Sequence, residues 1–465
     1  MERVTTNYTV QSMSGRSVRV SSGENWRADA VLGPFKTAQG SFHGQAWRQN
    51  RNGETVLAAR EPGLATADKT TTTLTRISEP FDAYVIARLN ALGSGSKEYI
   101  DPATWHVVRR DFIRPTGTIT DVYDDYRTDA GYARPWHWTQ HDGHPENDQE
   151  FRIESVDSSS VSDAELAVPP ARRRLVEFPP GISSVSLPAR LSDGKFIVRV
   201  DIAGRGLDFL LDTGASGIVI DQDVVEQLGL EQHGSYSNSV NAGRIAETSA
   251  IVPEMKIGSL TMRDVAVVTE PHVGLDRPAL YKIVGLLGFD FIDAVGLKFD
   301  YAAGTVTAQT TESFEAPTDP ETIDLDVRLA SMSPQTSITV NGALGERFVL
   351  DTGASGSLMF FDYFQRRHPE ALSDREQSDT DRNMRFVGVG GDFGVRPYRV
   401  RSVVIGNVTF TDFVALAVTS PTSYSGNEDG LIGADILRLF TVYADYAAGK
   451  MYLTPNELGR GAISK

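Results

Sequence analysis

A chain of 465 residues has the length of roughly three ordinary domains, and 40% hydrophobic with 23% charged residues is the composition of globular protein, not of disordered, collagen-like or membrane-embedded chains. With 61 Asp and Glu against 45 Lys and Arg, the net charge of -16 argues against a surface built to grip phosphate backbones, so nucleic acid is not expected as a partner. The lack of cysteine removes thiol nucleophiles, disulfide frameworks and cysteine-based metal sites, and no run approaches the roughly 18 to 20 apolar residues of a membrane helix.

Residues 1–155 hold all five tryptophans, Trp26, Trp47, Trp105, Trp136 and Trp138. The runs ITDVYDDYRT and EYIDPATWHVVRRDFI alternate aromatic and β-branched residues with polar ones, which predicts a β-rich domain with its own core. In WHWTQHDGH, His137, His141 and His144 are spaced by four and three, a spacing that would group metal ligands on a helix. Pro135, Gly143 and Pro145 argue against a helix, so a strand or loop with incidental histidines is expected, and no metal. Residues 156–181, with DSSSVSD, Pro169-Pro170, Arg172-Arg173-Arg174 and Pro179-Pro180, have the chemistry of a linker. The arginine run is also where a pro-region would be clipped.

Residues 182–310 form a first lobe. Lys195 to Ile202 (KFIVRVDI) alternates as a strand, a Gly-containing turn follows, and LDFLLDTG continues with β character. A short helix is expected over Asp221 to Leu230. Residues 311–322, containing TESFEAPTDP, read as a second linker. Residues 323–457 form a second lobe: strand TSITV (Thr336 to Val340), turn NGALGE, strand RFVLDTG, and helices over Phe361 to Leu372 and Ala434 to Phe440.

The two lobes are copies. LDTGASG occurs at Leu211 to Gly217 and again at Leu350 to Gly356, an offset of 139. Ile257-Gly258 with Ile405-Gly406, GLLGFDFI with GLIGADIL, and FDYAAG with ADYAAG follow at offsets of 148, 145 and 145. A duplicated, mostly antiparallel β unit of about 130 residues is the consequence. An Asp-Thr-Gly ending an apolar strand puts a carboxylate on a turn whose small residues admit close backbone approach. Two such turns facing each other across a pseudo-twofold axis would bring Asp212 and Asp351 together. Two carboxylates about 3 Å apart share one proton, giving an acid and a base in one site.

The doubled DTGAS, each followed by apolar-apolar-Gly (Leu286-Leu287-Gly288; Leu431-Ile432-Gly433), resembles the aspartic proteases, and the short lobes are more similar to the retropepsin-like than to the pepsin-like kind. The resemblance covers roughly Pro180 to Pro455. It implies an all-β fold of two pseudo-symmetric lobes forming a bilobal aspartic protease, preceded by the β-rich domain. It implies that Asp212 and Asp351 are catalytic and that Thr213 and Thr352 interlock beneath them. Gly214 and Gly353 would offer N–H groups to the carboxylates, and Ser216 and Ser355 would bond their outer oxygens. A glycine-rich flap is implied at Arg385 to Val395, with Gly388, Gly390, Gly391 and Gly394; the first lobe offers only SVNAGRI, with Asn241 and Gly243. No cofactor is needed, the substrate is a peptide or protein, and because one chain carries both aspartates the active unit is a monomer with a pseudo-dimeric core.

Ala46 to Val56 (AWRQNRNGETV) and Tyr99 to Arg110 (YIDPATWHVVRR) are similar to β-rich modules that precede double protease lobes in exported bacterial proteins, themselves similar to the periplasmic lipoprotein-carrier fold. That implies a periplasmic or secreted home. MERVTTNYTV lacks the apolar core of a leader, so the expectation is of a leader already removed, with a cytoplasmic home left open. As a pro-segment, a docking module or a carrier of an apolar ligand, the first region has three open roles. Against catalysis stand two other readings: a peptide- or lipid-binding protein with an idle protease core, and a zymogen awaiting removal of the first region.

Overall fold

The computed structural model describes residues 1–57, 69–114, 117–129, 131–158, 160–240, 243–271, 273, 282–329, 331–372, 384–388, 391–419 and 428–462. Two compact units emerge. One takes the described residues up to Arg172 together with His233–Ser237, and the other takes the remainder.

The first unit is a thirteen-stranded antiparallel sheet. From Glu2–Val10 the chain meanders outward to an edge at Thr55–Leu57; from Thr70–Ile77 at the opposite edge it meanders back until Gln149–Asp157 pairs with Glu2–Val10 in the middle. Two-residue turns with positive φ, Gln11-Ser12 and His43-Gly44, close hairpins because that handedness matches the strand twist. Trp47, 2% exposed, lies across Gly40, where a Cβ would fall 2.8 Å from the indole ring and 2.4 Å from the Trp26 carbonyl. Beside it the segment after the last strand lays Val161 and Leu166 on Val20, with Val18 and Phe42 packed around them. Arg172 anchors that segment by donating to the Lys36 and Asn50 carbonyls. His137 and His141 lie on the strand Tyr132–His141, and His137 sits between Asp124 (2.6 Å) and Glu150 (3.0 Å).

The second unit is built from the two lobes, each a sheet of mixed direction. In the first lobe the order runs Ala189–Ser192, Lys195–Ile202, Arg205–Leu211, Ile283–Leu287, Ile218–Asp221, Leu260–Glu270, Gly243–Ile257. In the second it runs Gln335–Val340, Ala343–Leu350, Gly430–Ile432, Leu358–Phe360, Val408–Val418, Gly391–Ile405, Met384–Gly388. Both lobes pair the strand entering Asp-Thr-Gly in parallel with the strand carrying apolar-apolar-Gly, Leu211 with Leu287 and Leu350 with Ile432. A six-stranded sheet joins the lobes: Ser184–Ser186, Thr305–Gln309 and Gly296–Asp300 from the first, Phe440–Asp445, Lys450–Pro455 and Ile323–Asp326 from the second. Gly296–Asp300 and Phe440–Asp445 pair antiparallel with Lys298 opposite Tyr443. Those two residues are equivalent under the 145-residue offset, so the pseudo-twofold axis passes between them. The fold is all-β, two pseudo-symmetric lobes that follow a β-rich first unit in the chain.

Helices are shorter than the sequence suggested. Asp221 caps Gln222–Gln227 by accepting from the Asp223 N–H, and Gly229, at φ 67°, follows its end. The expected helix over Phe361 to Leu372 splits into Asp362–Arg367 and a 3-10 turn Pro369–Leu372, because proline keeps the preceding His368 out of helical backbone. Beyond the linker arginine that closes the first unit, Arg173 pairs with Asp264 and Arg174 with Glu312.

Candidate active site

Each Asp-Thr-Gly turn is held from behind by the glycine of its own apolar-apolar-Gly strand. Asp212 N–H donates to Leu287 O and Gly288 N–H to Gly217 O; Asp351 N–H donates to Ile432 O and Gly433 N–H to Ser357 O. A Cβ at Gly288 would fall 2.4 Å from Ala215 O, and one at Gly433 2.6 Å from Gly356 O, so these positions admit no side chain.

The turns then lock to each other. Thr213 N–H donates to the Thr352 hydroxyl (3.1 Å) and Thr352 N–H to the Thr213 hydroxyl (2.9 Å). Each hydroxyl donates onward to the other lobe's entering strand, Thr213 to Leu350 O (2.6 Å) and Thr352 to Leu211 O (2.9 Å). Both threonines are buried, at 1% and 0% exposed.

Above this lock the glycines and carboxylates interleave. A Cβ on Gly214 would fall 2.6 Å from Asp351 Oδ2, and one on Gly353 2.4 Å from Asp212 Oδ2. Each carboxylate therefore lies flat against the opposite lobe's backbone. Gly214 N–H donates to Asp212 Oδ1 (2.8 Å); Gly353 and Ala354 N–H both donate to Asp351 Oδ1 (2.8 and 2.9 Å). The two carboxyls hydrogen-bond each other. Burial, and after it the charge of Asp351, pushes the Asp212 carboxyl above the usual carboxylate range; burial also raises Asp351, opposed by the Ala354 and Gly353 N–H groups. One proton is shared by the pair, which titrates as a unit.

Some expected partners are elsewhere. Neither Ser216 nor Ser355 makes a hydrogen bond to a carboxylate: Ser216 is exposed, and Ala354 N–H supplies the extra donor on Asp351. In the second lobe Gly388 pairs with Gly391 at the end of the hairpin Met384–Gly388 and Gly391–Ile405, but Gly390 lies outside the described residues. Gly394 is inside the strand, opposite Arg385, where a Cβ would fall 2.3 Å from the Thr419 hydroxyl, so it serves close packing and not bending. In the first lobe Gly243 opens the strand Gly243–Ile257, and Asn241 lies outside the described residues.

Three residues near the dyad were not singled out by sequence. Lys195 opens the strand Lys195–Ile202, and its positive charge pulls the proton affinity of both aspartates down. Val198 faces Phe209 as Thr336 faces Phe348, which puts Ser333 at the matching place in the second lobe, so the cation has no twin. Tyr301 and Tyr446, the tyrosines of FDYAAG and ADYAAG, are 6% and 4% exposed; the repeat itself was the signal that should have drawn attention to them.

Residues 198–291 and 336–436 match the model of a family described as aspartyl protease. The two lobes are aspartic-protease-like. Among solved structures, an aspartic proteinase from Irpex lacteus aligns with a TM-score of 0.38 and 12% identity over 59% of this chain and 98% of its own. A LolA superfamily protein from Nitrosomonas europaea aligns with a TM-score of 0.27 and 12% identity over 36% of this chain and 89% of its own. No curated protein matches the chain.

Proposed function

We propose that this protein is an aspartic endopeptidase of the retropepsin-like kind, hydrolysing peptide bonds with a water activated between Asp212 and Asp351. The observation that carries the reading is the crossed packing of Gly214 on Asp351 and Gly353 on Asp212, which holds two carboxyls, Asp351 buried and Asp212 half-buried, in hydrogen-bond contact. In that arrangement the ionised member takes a proton from water while the protonated member donates to the scissile carbonyl. The water oxygen bonds to the carbonyl carbon, giving a neutral gem-diol. Its collapse returns a proton to the leaving nitrogen and breaks the C–N bond, with no covalent enzyme intermediate. Removing water's competition from around the pair makes each of these proton transfers more sensitive to the fixed N–H donors at Asp212 and Asp351.

Both aspartates come from one chain, so the active unit is a monomer, with a peptide or protein as substrate. The reading is tested by digesting a peptide library with the parent, Asp212→Asn and Asp351→Asn. Hydrolysis is expected to collapse in each single variant while the fold survives. Retention of cleavage by either variant refutes the dyad, and a parent that binds peptides without cutting them leaves an idle protease core. Intact-mass measurement during the digest separates a zymogen, which would be cut near Arg174 before activity appears, from a chain active as it stands.

A further inference from the structure

We propose that Tyr301 and Tyr446 each hold an internal water beneath the catalytic turns, and that through these waters the two phenols position the dyad carboxyls. The inference rests on the reading of Asp212 and Asp351 as the reacting pair.

The two tyrosines are equivalent under the 145-residue offset and follow the two strands that pair across the pseudo-axis, Gly296–Asp300 and Phe440–Asp445. Their rings lie in apolar surroundings: Tyr301 against Phe196 at 4.8 Å between centroids, Tyr446 stacked on Phe289 at 5.6 Å. Phe289 donates its N–H to Ala215 O, part of the turn that carries Asp212. A residue of the second lobe is thus one ring away from the first lobe's catalytic turn.

Both hydroxyls are fully enclosed, and among the described residues neither has a hydrogen-bond partner. Leaving a buried hydroxyl unpaired costs about 1 to 3 kcal/mol, and phenylalanine would fill the same space without that cost. Both copies nevertheless carry the polar atom. Buried polar groups without a protein partner are the usual hosts of internal water, which takes the phenol's proton and donates to a second acceptor. The charged groups that bear on Tyr446 are Asp293, Asp212 and Asp351, and Asp351 bears on Tyr301. Lys195 precedes Phe196, the ring against Tyr301. With burial holding both phenols far from ionisation, each is a neutral donor over the whole working range.

The experiment compares the full-length parent with Tyr301→Phe, Tyr446→Phe and the double variant in two measurements. Thermal unfolding reads whether the hydroxyls have partners. Water-paired hydroxyls give a lower midpoint for each single variant by a few degrees, whereas unchanged or raised midpoints overturn the proposal. The pH dependence of peptide hydrolysis reads positioning. Loss of a donor that favours the ionised pair is expected to move the profile to higher pH by a few tenths of a unit, with KM little changed. Profiles that superimpose on the parent's overturn the positioning role even where midpoints fall. A parent without hydrolysis refutes the peptidase reading instead, and the thermal arm still decides whether the phenols hold water.

Discussion

The threonine lock makes a quantitative prediction. Replacing Thr213 with valine keeps the shape and removes one hydroxyl. That hydroxyl accepts from Thr352 N–H and donates to Leu350 O at 2.9 and 2.6 Å. Thr352 is wholly buried, so its N–H is left without acceptor or solvent, at about 1 to 3 kcal/mol, and the Leu350 carbonyl loses a donor worth about 1 kcal/mol. A total near 3 kcal/mol, spread over a unit of about 290 residues with an unfolding entropy near 2.1 cal/mol/K per residue, is a drop of about 5 °C in midpoint. Thr213→Ser keeps the oxygen and loses only a methyl, so it is expected to fall by less than half as much. All five tryptophans lie before residue 139, outside this unit, so its unfolding is followed by hydrogen exchange of peptides spanning Arg205–Leu211 and Ala343–Leu350. Serine and valine variants with midpoints within about 1 °C of each other would show that the cross-lobe bonds contribute no net stability, and the account of how the dyad is held would fail.

Three further outcomes are expected. Lys195→Met removes a charge that favours the ionised dyad, so both limbs of the pH–rate profile are expected to move upward by a few tenths of a unit to about one unit, and limbs that stay or move down contradict the assignment. Glu270 is pushed up to about 7 by burial and then by Glu247. Because its folded value lies above the unfolded one, its ionisation costs stability as pH rises from about 4.5 through 7, by about 3 kcal/mol in full. Glu270→Gln should therefore match the parent near pH 4 and exceed it at pH 8 in denaturant melts; a pH-independent difference would disprove the shift. In the first unit, Gly40→Ala drives a Cβ into the Trp26 carbonyl and the Trp47 ring, for an expected loss of about 1 to 3 kcal/mol read directly by tryptophan fluorescence, and an unaltered melt would mean the ring does not cross that glycine.

The site was legible because its parts are local and duplicated. Seven letters, LDTGASG, specify a strand end, a turn and a carboxylate, and their second occurrence supplies the partner without any knowledge of the path between. Features made by distant pairing left no such mark. Ser184–Ser186 and Ile323–Asp326 have too few residues to show alternation, and they become strands only through Val185 meeting Ala308 and Leu325 meeting Met451. Phe289–Asp293 reads FDFID, an aromatic pattern suited to a strand. It is helical because Phe289 N–H is taken by Ala215 O and Phe291 and Ile292 N–H groups by Gly288 O, a start imposed by the catalytic turn. In the first unit β-rich text was visible, but the pairing of the first strand with the last, which sets the order of all thirteen, involves residues about 150 positions apart.

What the repeat hides is where the copies differ, and there the register is indispensable. In the second lobe Phe361, Val395 and Val418 belong to one apolar cluster with Val349, Met359, Phe393 and Leu431. Val395 is paired directly with Val418. Leu358 faces Ile432 as Ile218 faces Leu287, an offset of 140, and with the 148 of the Ile-Gly pair this assigns their first-lobe counterparts as Asp221, Glu247 and Glu270. The first-lobe ladders agree, since Asp221 pairs with Glu270, and Thr248 with Thr269 puts Glu247 beside it. Where the second lobe has three neighbouring apolar side chains the first lobe thus has three carboxylates, and the raised proton affinity of Glu270 is the electrostatic consequence of burying one of them next to another. In sequence these acids are 23 and 49 residues apart and look like ordinary strand-end charges. The duplication therefore announces the common machinery, and only the pairing of strands reveals that the two lobes present it in surroundings of opposite polarity.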